Sequence, residues 1–132
     1  MFQRKRLPAP LRDAYRAFSV VAEDVDRAHG VLTEAAPSTR FAGRPLPDAL
    51  VEFEEAIRSA RSAMEGWRVP ELLPEWERCA DGLEASLQLA ERLRIEAPEI
   101  PGFETLIGTI DSLIAPLDAF VVAEERFRAL RR

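Results

Sequence analysis

The sequence has too few ligating or nucleophilic side chains of most kinds to build a familiar catalytic or metal site. Cys79 is the only cysteine and His29 the only histidine, which excludes an internal disulfide and a thiolate zinc site. The six glycines are scattered singly and form no phosphate-binding loop. Apolar runs extend over only a few residues, whereas a bilayer crossing takes about 20. We therefore expect no membrane span, no metal and no cofactor.

The composition is that of one soluble globular domain. The chain has 132 residues, of which 47% are hydrophobic and 31% charged, and this length is enough to bury a self-sufficient core. No apolar segment follows the basic N-terminus, which argues against a secretory signal and leads us to expect a cytoplasmic protein. We expect residues 1–9 to form a basic tail and residues 10–132 to form the domain.

Apolar residues recur at alternating steps of three and four in four separate stretches, the pattern of helices that pack against one another. The stretches begin at Pro10, Pro47, Pro74 and Pro101, where a missing N–H is tolerated because first-turn donors have no helical partner. The connections, near residues 37–44, 68–73 and 98–102, are short enough that neighbouring helices must run antiparallel. The sequence therefore predicts an all-α, antiparallel up-down-up-down four-helix bundle.

The fourth stretch has the widest apolar stripe, because Ile107, Ile114 and Val121 flank its central row. We therefore expect it to be the most buried helix. Pro116 lies inside this stretch and removes a backbone hydrogen bond, which predicts a kink or break between Ser112 and Pro116.

Isolated polar residues give weak indications of a site. His29 shares a helix face with Asp26, but a di-iron bundle needs two Glu-x-x-His motifs and two more carboxylates. Cys79 is predicted to be a small core filler at the opposite end of the bundle from His29. Glu124 falls on a core position, and we expect it to pair with Arg12, Arg16 or Arg128. The outer face of the second helix is predicted to carry Glu52, Glu54, Glu55, Arg58 and Arg61.

Charge and predicted topology together indicate one candidate interaction surface. An antiparallel bundle brings both ends of the chain to one pole, and this pole is basic although the net charge of the chain is −5. The candidate residues are Arg4, Lys5, Arg6, Arg126, Arg128, Arg131 and Arg132. Such a pole favours an acidic partner, whereas RNA or DNA is less favoured because no aromatic residues are interleaved for stacking.

These observations favour a non-enzymatic helical interaction module that acts through its surface, on a protein partner or by self-association as a homodimer. Apolar residues away from the core stripes, such as Val20, Val51 and Val122, are consistent with a docking patch. The alternative is a small-ligand-binding or regulatory bundle with a cavity between helices. A third reading is binding of RNA, DNA or an acidic partner through the basic pole.

Overall fold

A computed structural model describes residues 5–35, 45–96 and 103–132. It contains five α-helices: α1 (Ala9–Ala35), α2 (Leu46–Ser62), α3 (Leu73–Glu96), α4 (Phe103–Ile114) and α5 (Ala119–Ala129). Short 3₁₀ turns occupy Met64–Trp67, Pro70–Leu72 and Ala115–Asp118, and the described residues contain no strand. Because α4 and α5 are two halves of one interrupted rod, the predicted all-α four-helix bundle is confirmed.

Contacts between the neighbouring helices α2 and α3 run in opposite order along the two helices. On α2 and α3, Arg58 Nη2 lies 2.8 Å from Glu91 Oε1, and Arg61 Nη1 lies 2.9 Å from Glu84 Oε2. The partner number falls as the α2 number rises, which is the order that antiparallel neighbours produce. Each of these ion pairs is half-exposed and contributes at most about 1 kcal/mol.

The predicted break at Pro116 is confirmed, and α3 packs closely against it. The rod leaves α-helical geometry in the turn Ala115–Asp118. A side chain at Gly82 would collide with the backbone carbonyl of Pro116, so glycine is needed for this close approach. One turn further along α3, the buried Ser86 hydroxyl donates to the carbonyl oxygen of Leu113 at 2.8 Å. Ser86 thus satisfies a carbonyl close to the helix break.

The second helix ends earlier than its apolar pattern predicts. The stripe continues to Trp67, but α2 ends at Ser62 and a 3₁₀ turn follows. A Cβ on Gly66 would lie 2.7 Å from the Cβ of Ala17 on α1, so this turn packs against α1 with no room for a side chain. The turn places Trp67 fully inside the core, where its indole N–H donates to Met64 Sδ at 3.3 Å.

Two burial predictions are wrong. Glu54 was expected on the outer face of α2, but it is 1% exposed and accepts two hydrogen bonds from Arg94 of α3, at 2.6 and 3.1 Å. Arg58 also lies 3.5 Å from Glu54. These bonds, together with the charge of Glu54, raise the pKa of Arg94 and satisfy a carboxylate that would otherwise be buried unpaired.

The fourth rod is not the most buried helix. Val121 and Val122 are 60% and 47% exposed, whereas α1 presents nine buried residues to the core. Among the described residues, the helical stretch Glu104–Ala129 is by length and composition apolar enough to cross a membrane. Only 28% of the 18-residue window that passes this test is buried. We did not expect such a stretch. Core helices of soluble proteins pass the same test, but those are mostly buried and this one is not.

The described part of the predicted basic tail packs against the bundle. Leu7 is 6% exposed and belongs to the core. The backbone N–H of Arg6 donates to the carbonyl of Arg132 at 2.8 Å, and the N–H of Arg132 donates back to Arg6 at 2.9 Å. Residues near the two ends of the sequence therefore meet at one pole, as the antiparallel arrangement requires.

Candidate functional site

A groove runs between α1 and the fourth rod, with a volume of about 530 Å³. We call it the apolar groove. Its buried floor consists of Phe18, Val25, Leu117 and Phe120, and its walls include Ala22, Ile114 and Val121. The floor belongs to the core, whereas Val121 projects from the wall largely exposed. The groove is open to solvent, so its walls are available to another molecule.

The polar residues that line the apolar groove are mostly acidic. They are Asp26 and His29 on α1, and Asp118, Glu124, Glu125 and Arg128 on the fourth rod. Four carboxylates therefore stand against one arginine. A cationic group would be attracted to this rim, since like charges close together favour a partner of opposite sign.

Tyr15 fixes Glu124, the only one of these carboxylates on a predicted core position. The Tyr15 hydroxyl donates to Glu124 Oε1 at 2.9 Å, and Arg128 Nε lies 3.9 Å from the same oxygen. Of the three arginines predicted as partners of Glu124, Arg128 is therefore confirmed. Burial, followed by the hydrogen bond and charge of Glu124, raises the pKa of Tyr15, so the hydroxyl keeps its proton for this bond.

His29 and Asp26 both line the apolar groove, as their shared helix face predicts. They do not assemble a metal site: in residues 5–35, 45–96 and 103–132, no group of three or more His, Cys, Asp or Glu side chains is placed to hold an ion. What His29 and Asp26 can do is accept or donate hydrogen bonds at the edge of an apolar surface.

A second concavity, of about 400 Å³, lies at the pole where Arg6 meets Arg132. We call it the basic hollow. It is lined by Lys5, Arg6, Leu7, Arg12, Tyr15, Arg16 and Arg131. Five of these seven residues are cationic, and none is acidic. Tyr15 lines the hollow while its partner Glu124 lines the apolar groove, so this hydrogen-bonded pair stands between a basic and an acidic site.

The seven candidate residues of the basic pole separate into three groups. Lys5, Arg6 and Arg131 line the basic hollow. Arg128 lines the apolar groove, and Arg126 Nε lies 3.9 Å from Glu75 Oε1 of α3. Arg132 takes part through its backbone, and Arg4 lies outside the described residues.

Sequence reasoning missed two members of the basic hollow, Arg12 and Arg16. They lie four residues apart and therefore on one face of α1. That spacing was a usable signal, but both residues were considered only as alternatives to Arg128 for pairing with Glu124. Arg12 Nε in fact donates to the carbonyl of Leu7 at 2.8 Å, and Arg16 pairs with Asp13 at 3.4 Å.

Cys79 lines neither concavity. It is fully buried, in agreement with its predicted role as a core filler. Burial, with a smaller effect of the Glu75 carboxylate, raises the pKa of its thiol to about 12. A thiol of this kind is protonated and inaccessible at neutral pH, so Cys79 is not a nucleophile in the folded protein.

Comparison of the chain with protein-family models, with curated proteins and with solved structures found no match. The function must therefore be argued from the apolar groove and the basic hollow themselves.

Proposed function

We propose that this chain is a non-enzymatic interaction module, and that its apolar groove binds one amphipathic helix of a partner protein, with lysine or arginine beside the helix's apolar stripe. The observation that supports the proposal is an exposed apolar wall with an acidic rim. Helix-in-groove binding is a common use of this geometry.

The pattern of the fourth rod supports a partner that is apolar and basic at once. Ile114 and Val121 lie seven residues apart and both line the apolar groove, where they form a short apolar row. Asp118 and Glu125, also seven residues apart, are exposed and line the same groove. A helix lying along the apolar row would place its flanking residues beside these carboxylates.

The same charges argue against two other occupants. In a bilayer, aspartates such as Asp111 and Asp118 each cost about 2.5–3.5 kcal/mol near the centre of a span. In a dimer formed groove to groove, two acidic rims would face each other, and like charges placed opposite one another are destabilising. A basic partner helix avoids both penalties.

A small ligand is the second candidate for the apolar groove. A volume of about 530 Å³ lies within the usual range for ligand sites, about 300–1,000 Å³. Polar groups of Asp26, His29 and Arg128 converge on an apolar floor, which is the usual composition of such a pocket. The openness of the groove to solvent favours the helix, because a ligand site covers most of its ligand.

Two synthetic helical peptides test the proposal. Both carry leucine at positions i, i+3, i+4 and i+7; one has lysine beside the leucine stripe, and the other has glutamate. We expect the lysine peptide to bind the groove, measured by fluorescence anisotropy, because its leucine stripe is buried against the apolar wall and each fully buried aliphatic side chain contributes about 1.5–3 kcal/mol. We expect the glutamate peptide to bind at least about tenfold more weakly, because its charges meet the acidic rim.

The chain offers a matched pair of variants for this assay. Val121→Asp places a charge in the groove wall, whereas Val122→Asp places the same charge on a neighbouring exposed valine outside the groove. We expect the first to abolish peptide binding and the second to leave it unchanged. Equal binding by both variants, or equal binding of both peptides, would contradict the proposal. Light scattering of the unliganded protein across concentrations tests self-association separately.

A further inference from the structure

The basic hollow is a second site with the opposite charge, independent of the apolar groove. We infer that it binds a compact, phosphate-bearing anion. Five cationic side chains line a concavity of about 400 Å³, and no carboxylate is among the lining residues that the structure describes. Although the net charge of the chain is −5, these five positive groups produce a local positive potential that attracts anions.

The cations are held in place by the fold. The backbone bonds between Arg6 and Arg132, at 2.8 and 2.9 Å, fasten the segment that carries Lys5 and Arg6 to the end of the fourth rod. The buried side chain of Leu7 anchors the same segment in the core. A preorganised set of cations loses less entropy on binding than cations on a free tail.

Two of the arginines are oriented by their own contacts. Arg12 donates its Nε–H to the carbonyl of Leu7 at 2.8 Å, which fixes the guanidinium and uses one of its five N–H donors. The Arg131 guanidinium lies 5.9 Å from the centre of the Tyr15 ring, within the range of a cation–π contact. Tyr15 in turn is held by Glu124. Directed contacts therefore hold Arg12, Arg131 and Tyr15 in the hollow.

The residue types favour phosphate over a single carboxylate. Arginine presents a planar fork of donors that matches two phosphate oxygens at once. Several arginines around one hollow need several acceptor oxygens, and a pyrophosphate group supplies them in a small volume. Arg16 has Asp13 beside it at 3.4 Å, but both side chains are about four-fifths exposed, so this pair is weak and does not neutralise the hollow.

A nucleic-acid strand fits the hollow less well. Single-stranded binding relies on aromatic rings on which successive bases stack. Tyr15 is the only aromatic residue that lines the hollow in the described part of the chain, and Arg131 already occupies a position over its ring. A compact anion needs no stacking surface.

Isothermal titration with sodium pyrophosphate is the direct test, at low ionic strength because salt screens exposed charges. The test variant is the double substitution Arg12→Gln with Arg131→Gln. The matched control is Arg78→Gln with Arg92→Gln, which removes the same charge from two exposed arginines of α3 that do not line the hollow. Circular dichroism establishes that all variants fold.

We expect pyrophosphate to bind the parent protein and the control alike, and to bind the test variant at least about tenfold more weakly, since two charge-assisted contacts are lost. Equal affinity of the test and control variants would overturn the inference, because binding would then follow net charge. Absence of pyrophosphate binding by the parent would also overturn it.

Two further probes identify the source of the phosphate. Vesicles of phosphatidic acid, compared with vesicles of phosphatidylcholine, test whether the phosphate belongs to a lipid headgroup. If the test variant loses vesicle binding and the control variant keeps it, the hollow is the site and a lipid supplies the phosphate. A single-stranded RNA that binds the parent protein and is lost in the test variant, when pyrophosphate does not bind the parent, would overturn the inference in favour of nucleic acid. None of these measurements depends on peptide binding in the apolar groove.

Discussion

Replacing Gly82 with alanine tests how closely α3 packs against the interrupted fourth rod. Alanine is the better helix former, and by propensity alone the change would stabilise α3 by about 0.5–1 kcal/mol. The new methyl group, however, would collide with the carbonyl of Pro116. That neighbour is backbone, in a segment held by a proline ring, so it cannot move aside as the end of a flexible side chain would.

The magnitude follows from comparing the two effects. Overpacking a tight contact costs about 1–3 kcal/mol, which exceeds the propensity gain. We therefore expect Gly82→Ala to lower the free energy of unfolding by about 1–2 kcal/mol. Since Gly82 and Pro116 join α3 to the fourth rod, the loss reports on packing between helices.

Gly108→Ala is the matched control, because a Cβ at Gly108 of α4 would meet no atom within 4 Å. We expect this variant to be more stable than the parent by about 0.5–1 kcal/mol. Urea unfolding followed by far-ultraviolet circular dichroism measures both. If Gly82→Ala proves as stable as Gly108→Ala, the close approach of α3 to Pro116 is not as described.

Three other substitutions are informative. Ser86→Ala should lower the free energy of unfolding by about 0.5–1.5 kcal/mol, because it removes a buried hydrogen bond to the carbonyl of Leu113, whereas the exposed Ser112→Ala should change it by less than about 0.5 kcal/mol in urea unfolding. Arg94→Leu should destabilise the fold in the same assay by leaving Glu54 with only a long contact, and Arg94→Lys should restore part of the loss. The Cys79 thiol should react with a chromogenic disulfide only on unfolding. Because folding raises the pKa of this thiol from 9.0 to about 12, the thiol loses its proton at a lower pH in the unfolded state than in the folded state. Stability should therefore fall as pH rises between these values, more steeply than in Cys79→Ala.

The fold was predictable because a helix in a bundle repeats its contacts at every turn. The stripe of α1, the prolines in the first turns of α1, α2 and α3 and the break at Pro116 follow from local rules of spacing and missing N–H groups, whereas Pro101 lies outside the described residues. Those rules hold whatever the neighbouring helix contributes. They could therefore be read one segment at a time.

What could not be predicted depends on which segments meet. Glu54 looks like a surface residue until Arg94, forty residues away, is placed against it. The wide stripe of the fourth rod indicated burial, but an apolar surface left open for a partner has the same sequence pattern. The turn after α2 brings Gly66 against Ala17 of α1, which occupies the space that a side chain would need.

The candidate sites show the same limit. The basic pole was predicted from charge and topology, and three of its seven residues line the basic hollow. Which cations converge depends on distances between helices, so Arg12 and Arg16 were considered only as alternative partners of Glu124. A cavity between helices was predicted at the kink near Pro116, and Ile114 and Leu117 on either side of it do line the apolar groove. The small residues predicted to leave that cavity, Ala14, Ala28, Ala60, Ala80 and Ala90, do not line the groove.

The two tryptophans give the protein a label-free optical reporter. Trp67 is fully buried, with its ring centre 4.9 Å from that of Phe18 and 6.1 Å from that of Phe127. Trp76 is half-buried, donates to the carbonyl of Met64 at 2.8 Å and lies under the Arg68 guanidinium. Folded-state emission should therefore combine a blue component from a dry indole with a redder one from a hydrated indole. A ligand that shifts α1 against α5 would alter the blue component alone.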